Sequence, residues 1–293
     1  MITTAADPES ARRGRIVLGT FALADNEVSP ALLDRYHAAG GRDLDLANVY
    51  LDGEAARAAG TWLRKRGLAG DMVLWAKGCH PPACHPALVR QEVEHALRLT
   101  GLEYLDVFLL HRDNPGVPTA AWVDALGAEV TAGRIGAFGV SNWRLGRTRE
   151  LAAAGRGEHG LVAFSNHFSL AELVAEPWPD CIAVTKAELP ELAGLGLCML
   201  AWSSLATGYF AGLEQPSWVS PGNAARRDRA RELAAQRGVS PTAIALAYVL
   251  HQDDHVLPVI GTVSADHLDE ALGAAAIELT PAEAAWLERG GTP

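Results

Sequence analysis

A chain of 293 residues that is 49% hydrophobic and 20% charged can bury a large core, and its formal net charge of −10 argues against nucleic-acid and anionic-membrane partners. No apolar run of about 18 residues is present, and the first fifteen residues, with Asp7, Glu9, Arg12, Arg13 and Arg15, lack the apolar stretch of a secretory signal. Four cysteines are too few for a disulfide framework, so a cytoplasmic protein is expected.

Residues 1–14 carry no periodicity and read as a frayed tail. A short buried strand is expected over 16–21, followed by a helix that opens at Ser29-Pro30 and stops at Gly40-Gly41. A strand ending at Asp45, a helix over 54–65, a strand over 72–76 and a helix over 86–99 come next, the last with Leu88, Val89, Val93, Ala96 and Leu97 as its apolar stripe. The alternation continues with a strand into His111, a helix over 120–131, a strand over 135–140, a helix over 145–153 and a strand over 161–164. A helix over 186–193 precedes a seventh strand over 198–202, and a long loop then leads to a helix expected over 224–237. A helix over 241–250, an eighth strand over 256–260 and helices over 265–274 and 281–289 complete the chain. Eight strands alternating with helices, with no repeat or linker between them, predict a (β/α)8 TIM barrel formed as a single domain over 1–293.

Three successive strands deliver ionisable residues to the same place. Asp45 and Tyr50 lie where the second strand becomes loop, Lys77 follows the third, and His111 follows the fourth. In a parallel barrel these side chains meet at the C-terminal rim, where such folds hold their chemistry. The set resembles that of the aldo-keto reductase superfamily, and the resemblance implies reduction of a carbonyl, which needs a proton donor at the developing oxyanion. Tyr50 is a candidate for that acid, Lys77, held by Asp45, for a cation that eases loss of its proton, and His111 for a hydrogen-bond donor that orients the carbonyl. An exposed loop tyrosine and a structural ion pair at the rim are the alternatives.

The segments Asp45-Leu46-Ala47-Asn48-Val49-Tyr50, Leu110-His111-Arg112, Gly139-Val140-Ser141-Asn142 and Val259-Ile260-Gly261-Thr262, with Lys77 between the first two, resemble the aldo-keto reductase superfamily in order over residues 16–287. The resemblance implies an NAD(P)H-dependent reductase of a small-molecule aldehyde or ketone, with NADPH the expected cofactor and NADH an alternative. It also implies that Ser141 and Asn142 bind the nicotinamide carboxamide and that Trp202 stacks on the ring. Ser203 and Leu205 would meet the pyrophosphate, and Gly261, Thr262 and His267 would lie near the adenosine phosphate.

The chain departs from the family pattern at Leu46, where threonine is usual, and at Ser165, where a glutamine usually grips the carboxamide. Whether Ser165 or the adjacent Asn166 replaces that glutamine is open. The rim around Gly261, Thr262, Ser264 and His267 lacks the lysine or arginine that favours a 2′-phosphate. Cys79, His80, Cys84 and His85 lack a Cys-x-x-Cys pair and are stiffened by Pro81-Pro82, so no metal site is assigned. Trp143 and Trp218 are candidates to line the pocket, and Arg226, Arg227, Arg229 and Arg231 read as a solvated helix face or a phosphate-facing patch. Two other functions stay open: a Schiff-base lyase using Lys77 and a nicotinamide-binding regulatory subunit.

Overall fold

The computed structural model describes residues 14–24, 26, 28–155 and 160–291. The expected tail falls on residues outside these, apart from Gly14. Eight parallel strands pair in chain order and close into a barrel: β1 (Val17–Gly19), β2 (Asp43–Ala47), β3 (Val73–Gly78), β4 (Leu105–Leu110), β5 (Ile135–Ser141), β6 (Leu161–His167), β7 (Cys198–Trp202) and β8 (Val256–Gly261). Around it lie α1 (Val28–Ala38), α2 (Glu54–Arg66), α3 (Val89–Thr100), α4 (Thr119–Thr131), α5 (Leu145–Ala154), α6 (Leu189–Gly194), α7 (Pro221–Arg237), α8 (Pro241–Leu250), α9 (Ala265–Gly273) and α10 (Pro281–Arg289). The predicted barrel is the observed one. No helix among the described residues is long and apolar enough to cross a membrane.

Local chemistry explains the helix boundaries. Ser220, Ser240 and Thr280 each precede a proline, and each accepts a backbone N–H three residues on, at 3.1, 3.0 and 3.1 Å. The Ser220 cap starts α7 three residues earlier than the apolar pattern suggests, because a cap is set by a hydrogen bond and not by periodicity. At the other end, Gly67, Gly101 and Gly238 close α2, α3 and α7 in the left-handed region that glycine reaches without a Cβ clash.

Side chains alternate across each strand, so one set packs against the helices and the other fills the barrel. Val17, Trp75, Val107, Leu109, Ala163, Leu200 and Val259 form the inner cluster, separate from the larger core between sheet and helices. The strand register carries the same parity to the rim. Asp45 is level with Trp75, Lys77 with Leu109, and Ser141 with Ser165. Asp45, Lys77, Ser141, Ser165 and Trp202 are therefore inward positions near the C-terminal end.

Two expectations change here. Phe21 is not in β1, which ends at Gly19; it stands in the following turn with 53% of its surface exposed. The segment after β7 is not one long loop either. It holds a short 3-10 stretch, Ala206–Ala211, before α7 begins.

Candidate active site

The loop after β2 carries Tyr50 into a tight turn, Tyr50–Gly53, in which Leu51 and Asp52 both take the left-handed conformation at φ 49° and 52°. Such backbone is costly for residues other than glycine, and it persists where surrounding contacts hold it. Glu92 of α3 braces the loop just before this turn. Its Oε2 accepts from Asn48 Nδ2 at 3.1 Å and from the Cys79 backbone N–H at 3.0 Å, tying the loop that precedes Tyr50 to the loop that follows Lys77. A Cβ on Gly78 would lie 3.1 Å from Glu92 Oε2 and 3.0 Å from Asn48 Nδ2, so a side chain there would press on this tie. Next along the rim, the His111 backbone N–H continues the ladder to Gly78 O at 2.8 Å.

These elements bring the four predicted catalytic residues together. Lys77 and Asp45, 3% and 4% exposed at their side chains, form a hydrogen-bonded ion pair. The Tyr50 hydroxyl donates to the other Asp45 oxygen at 3.4 Å, and the Lys77 ammonium stands 5.2 Å from the centroid of the Tyr50 ring. Tyr50 and His111 meet edge to face with ring centroids 6.0 Å apart, and His80 lies behind His111 at 5.1 Å.

Burial dominates the electrostatics of the cluster. Tyr50 is held well above the usual tyrosine range, chiefly by burial and then by the Asp45 charge, with Arg112 opposing. Lys77 is paired to the same Asp45 at contact distance. Burial lowers the Lys77 ammonium, and Asp45 works against that. His111 is pushed well below the usual histidine range by burial, with Lys77, Arg112 and His80 adding to the effect. A neutral imidazole keeps one N–H for donation, and Nδ1 of His111 is buried with no partner among the described residues.

The predicted cofactor residues occupy the adjoining arc of the rim. Asn142 sits at φ 58°, and its side chain is already engaged: Oδ1 accepts from Ile182 N–H at 3.2 Å, while Nδ2 donates to Ser141 Oγ at 3.0 Å and reaches His111 O at 3.5 Å. One lone pair of its carbonyl remains for a ligand. Ser165 Oγ, level with Ser141, is buried without a hydrogen-bond partner among the described residues. Asn166 has the opposite parity. It turns away from the rim and donates to Trp143 O at 2.9 Å, so Ser165 is the inward residue of the two.

Farther round, Trp202 Nε1 is buried with no hydrogen-bond partner among the described residues. Ser203, Ala206 and Thr207 all have positive φ, a backbone form that can turn successive N–H groups to one side, and Leu205 lies between them. Gly261 closes β8 with open space around it. Thr262 Oγ1 exchanges hydrogen bonds with the Ser264 backbone at 3.3 and 3.0 Å, and Ser264 Oγ caps α9 by accepting from the His267 backbone N–H. His267 is exposed.

Several residues fall outside their expected places. Trp143 and Trp218 are fully buried, Trp143 edge-on to Trp122 and Trp218 donating to Thr207 Oγ1 at 2.6 Å, so neither side chain is exposed at the rim. The arginines of α7 brace the surface. Arg226 pairs with Glu172 at 2.5 Å, Arg227 with Glu214 at 3.2 Å and Arg231 with Asp228 at 3.1 Å, while Arg229 donates to Leu287 O at 2.8 Å. No group of three or more His, Cys, Asp or Glu side chains suited to a metal occurs among the described residues. Phe21 and Trp178, in contrast, stand exposed around Tyr50. Phe21 is 5.2 Å from the Tyr50 ring and 6.1 Å from Trp178, which in turn is 6.4 Å from Trp202. No motif marks them, since Trp178 reaches this cluster from a segment more than a hundred residues after Tyr50.

Comparison with known proteins bears on the same site. A sequence model described as the aldo/keto reductase family matches residues 15–289. The chain is 26% identical over 291 residues to norsolorinic acid reductase of Emericella nidulans, covering 90% of this chain and 72% of that protein. It is 23% identical over 299 residues to an aryl-alcohol dehydrogenase of Pestalotiopsis microspora, covering 93% and 74%. Among solved structures, an aldo-keto reductase from Klebsiella pneumoniae in complex with NADPH superposes with a TM-score of 0.78 at 26% identity, over 94% of this chain and 90% of that one.

Proposed function

Because the chain belongs to the aldo/keto reductase family, we propose that it reduces an aldehyde or ketone to an alcohol at the expense of NADPH, with Tyr50 as proton donor. The observation that carries this reading is the convergence of Tyr50, Lys77, Asp45 and His111 in one buried cluster on three consecutive strands. A bound nicotinamide supplies the hydride to the carbonyl carbon. Ser165 and Ser141 would hold its carboxamide, and the fit is supported by the orphaned buried hydroxyl of Ser165, which a carboxamide would satisfy. Trp202 would pack on the ring, the Ser203 to Leu205 turn would meet the pyrophosphate, and Gly261, Thr262 and His267 would lie by the adenosine end. NADPH in the complexed relative supports that nucleotide.

The chain's own residues divide the remaining work. Burial keeps Tyr50 a phenol until charge develops on the carbonyl oxygen, so the proton is present when needed. His111, neutral, can donate one N–H to that oxygen and orient it without repelling Lys77. Asp45 fixes Lys77 against the face of the Tyr50 ring. Phe21, Trp178 and Trp202 offer aromatic surface beside the acid, which favours a carbonyl carried on a flat aromatic body.

The test is a fluorescence titration of the protein with NADPH and separately with NADH, followed by nicotinamide oxidation in the presence of an aryl aldehyde. Quenching with NADPH and aldehyde-dependent oxidation are expected. Binding of neither nucleotide would overturn the reading.

A further inference from the structure

We infer that His167 is a positioning residue for the nicotinamide end of the cofactor site: its ring bridges Trp202 and Trp218, and one of its nitrogens holds the Trp202 backbone, which together fix where the Trp202 ring stands. The inference rests on the reading of Trp202 as the ring that packs on the nicotinamide.

His167 ends β6 and lies level with Trp202 of β7, with the same inward parity as Ser165. It is buried, its ring centroid 5.1 Å from that of Trp202 and 4.7 Å from that of Trp218, with the planes tilted by 55° and 46°. Nδ1 lies 3.1 Å from Trp202 O, and a carbonyl oxygen only accepts, so Nδ1 carries the proton. The other tautomer, with Nε2 donating toward Ala171 O at 3.5 Å, would set the Nδ1 lone pair against the closer Trp202 O. Burial pushes the imidazole down to about 4, so the ring is neutral and Nε2 keeps its lone pair, 3.4 Å from Ser169 Oγ.

Two observations separate this arrangement from the filling of a core. The register of β7 with β8 ends at Ala201, opposite Pro258, so Trp202 lies past that ladder and the imidazole N–H ties its carbonyl. An apolar ring would occupy the same space and leave that carbonyl without this donor. The second neighbour of the imidazole is itself fixed: Trp218 donates to Thr207 Oγ1 at 2.6 Å, and its carbonyl accepts from Asn223 Nδ2 at 2.8 Å. His167 therefore transmits the place of an anchored, buried tryptophan to a half-buried one at the rim, whose further aromatic neighbour is Trp178 at 6.4 Å.

The test is a binding cycle read by titration calorimetry, which needs neither turnover nor tryptophan fluorescence. NADPH and 2′-phospho-ADP-ribose, the same nucleotide without its nicotinamide, are titrated into wild type, His167→Leu, Trp202→Leu and the double variant. His167→Leu should weaken NADPH about fivefold and the fragment less than about twofold, and it should add nothing to the loss in Trp202→Leu, where the ring it places is gone. His167→Asn, whose amide can still donate to the Trp202 carbonyl but brings no ring against Trp218, should fall between wild type and His167→Leu, and it serves if His167→Leu does not fold. Unchanged NADPH affinity in either His167 variant, equal losses on NADPH and the fragment, or additive losses in the double variant overturn the inference. If Trp202→Leu binds NADPH as wild type does, the placing of Trp202 on the nicotinamide fails and takes the inference with it; a loss in Trp202→Leu that the His167 variants do not share sinks the inference alone.

Discussion

The Lys77 ammonium stands over the face of the Tyr50 ring, 5.2 Å from its centroid, while the Tyr50 hydroxyl points past it to Asp45 at 3.4 Å. The acid and its nearest cation are thus in contact through the ring and not through the proton to be transferred. Removing the hydroxyl should therefore leave the packing intact. Tyr50→Phe is expected to lower kcat by about 10²- to 10⁴-fold, the range for a general acid, with NADPH quenching unchanged. Wild-type turnover in that variant would assign the proton donor elsewhere.

Lys77→Met leaves Asp45 as a lone buried carboxylate. Breaking a buried pair in this way costs about 3–5 kcal/mol, and urea unfolding should show a loss of that order. Adding Asp45→Asn should recover part of it, because the uncompensated charge is gone. Borohydride with carbonyl substrate should trap no adduct on Lys77, whose nitrogen is held against Asp45 in a buried ion pair; a trapped adduct would favour the Schiff-base lyase.

Ser165 separates cofactor binding from stability. Its hydroxyl is buried and unpartnered, so Ser165→Ala removes no hydrogen bond and should leave the melting temperature unchanged or slightly raised. NADPH affinity should fall by about tenfold, the worth of one hydrogen bond of about 1–1.5 kcal/mol. Equal affinity in the two proteins would remove Ser165 from the carboxamide site.

Phe21 and Trp178 supply exposed aromatic surface beside Tyr50, and losing either should act on substrate and not on chemistry. Phe21→Ala and Trp178→Ala are expected to raise KM for an aryl aldehyde several-fold, in line with about 0.5–1.5 kcal/mol per aromatic contact, and to leave a short alkyl aldehyde unaffected. Parallel losses on both substrates would argue for a structural role.

Asp43 predicts a pH dependence of stability away from the reaction. Burial raises its carboxyl to about 6, with the Trp75 N–H, at 2.7 Å, opposing and Asp106 adding to the rise. The unfolded chain, with an ordinary aspartate near 3.9, releases this proton first as pH rises. Asp43 therefore costs nothing below about pH 4, and its penalty grows up to about pH 6 and is complete above it. Asp43→Asn, which can still accept from Trp75, should raise the melting temperature at pH 7.5 and match wild type at pH 4. Equal gains at both values would point to packing instead of titration.

The strands were legible because a parallel strand buried on both faces is a continuous apolar run, and here Val73 to Ala76 and Val107 to Leu110 each end at an ionisable residue. Phe21 was misread because it continues such a run, although the backbone turns at Thr20, whose hydroxyl donates to Asp45 O at 2.9 Å. Glu92 was invisible for another reason. It looks like any acidic residue on a helix until the fold sets Asn48 and Cys79 against it.

What the sequence determined by itself was the order of strands and the residue type at the end of each, because both are written in neighbouring residues and in the alternation of side chains along a strand. Asp45, Lys77, His111 and Ser141 are inherited from that order. Only the tertiary structure decided which groups these side chains pair with. Lys77 pairs with a residue 32 positions away, and Arg112 donates to Pro179 O and Cys181 Sγ, 67 and 69 positions on. Electrostatic free energy depends on distance and burial, and neither can be read along a chain.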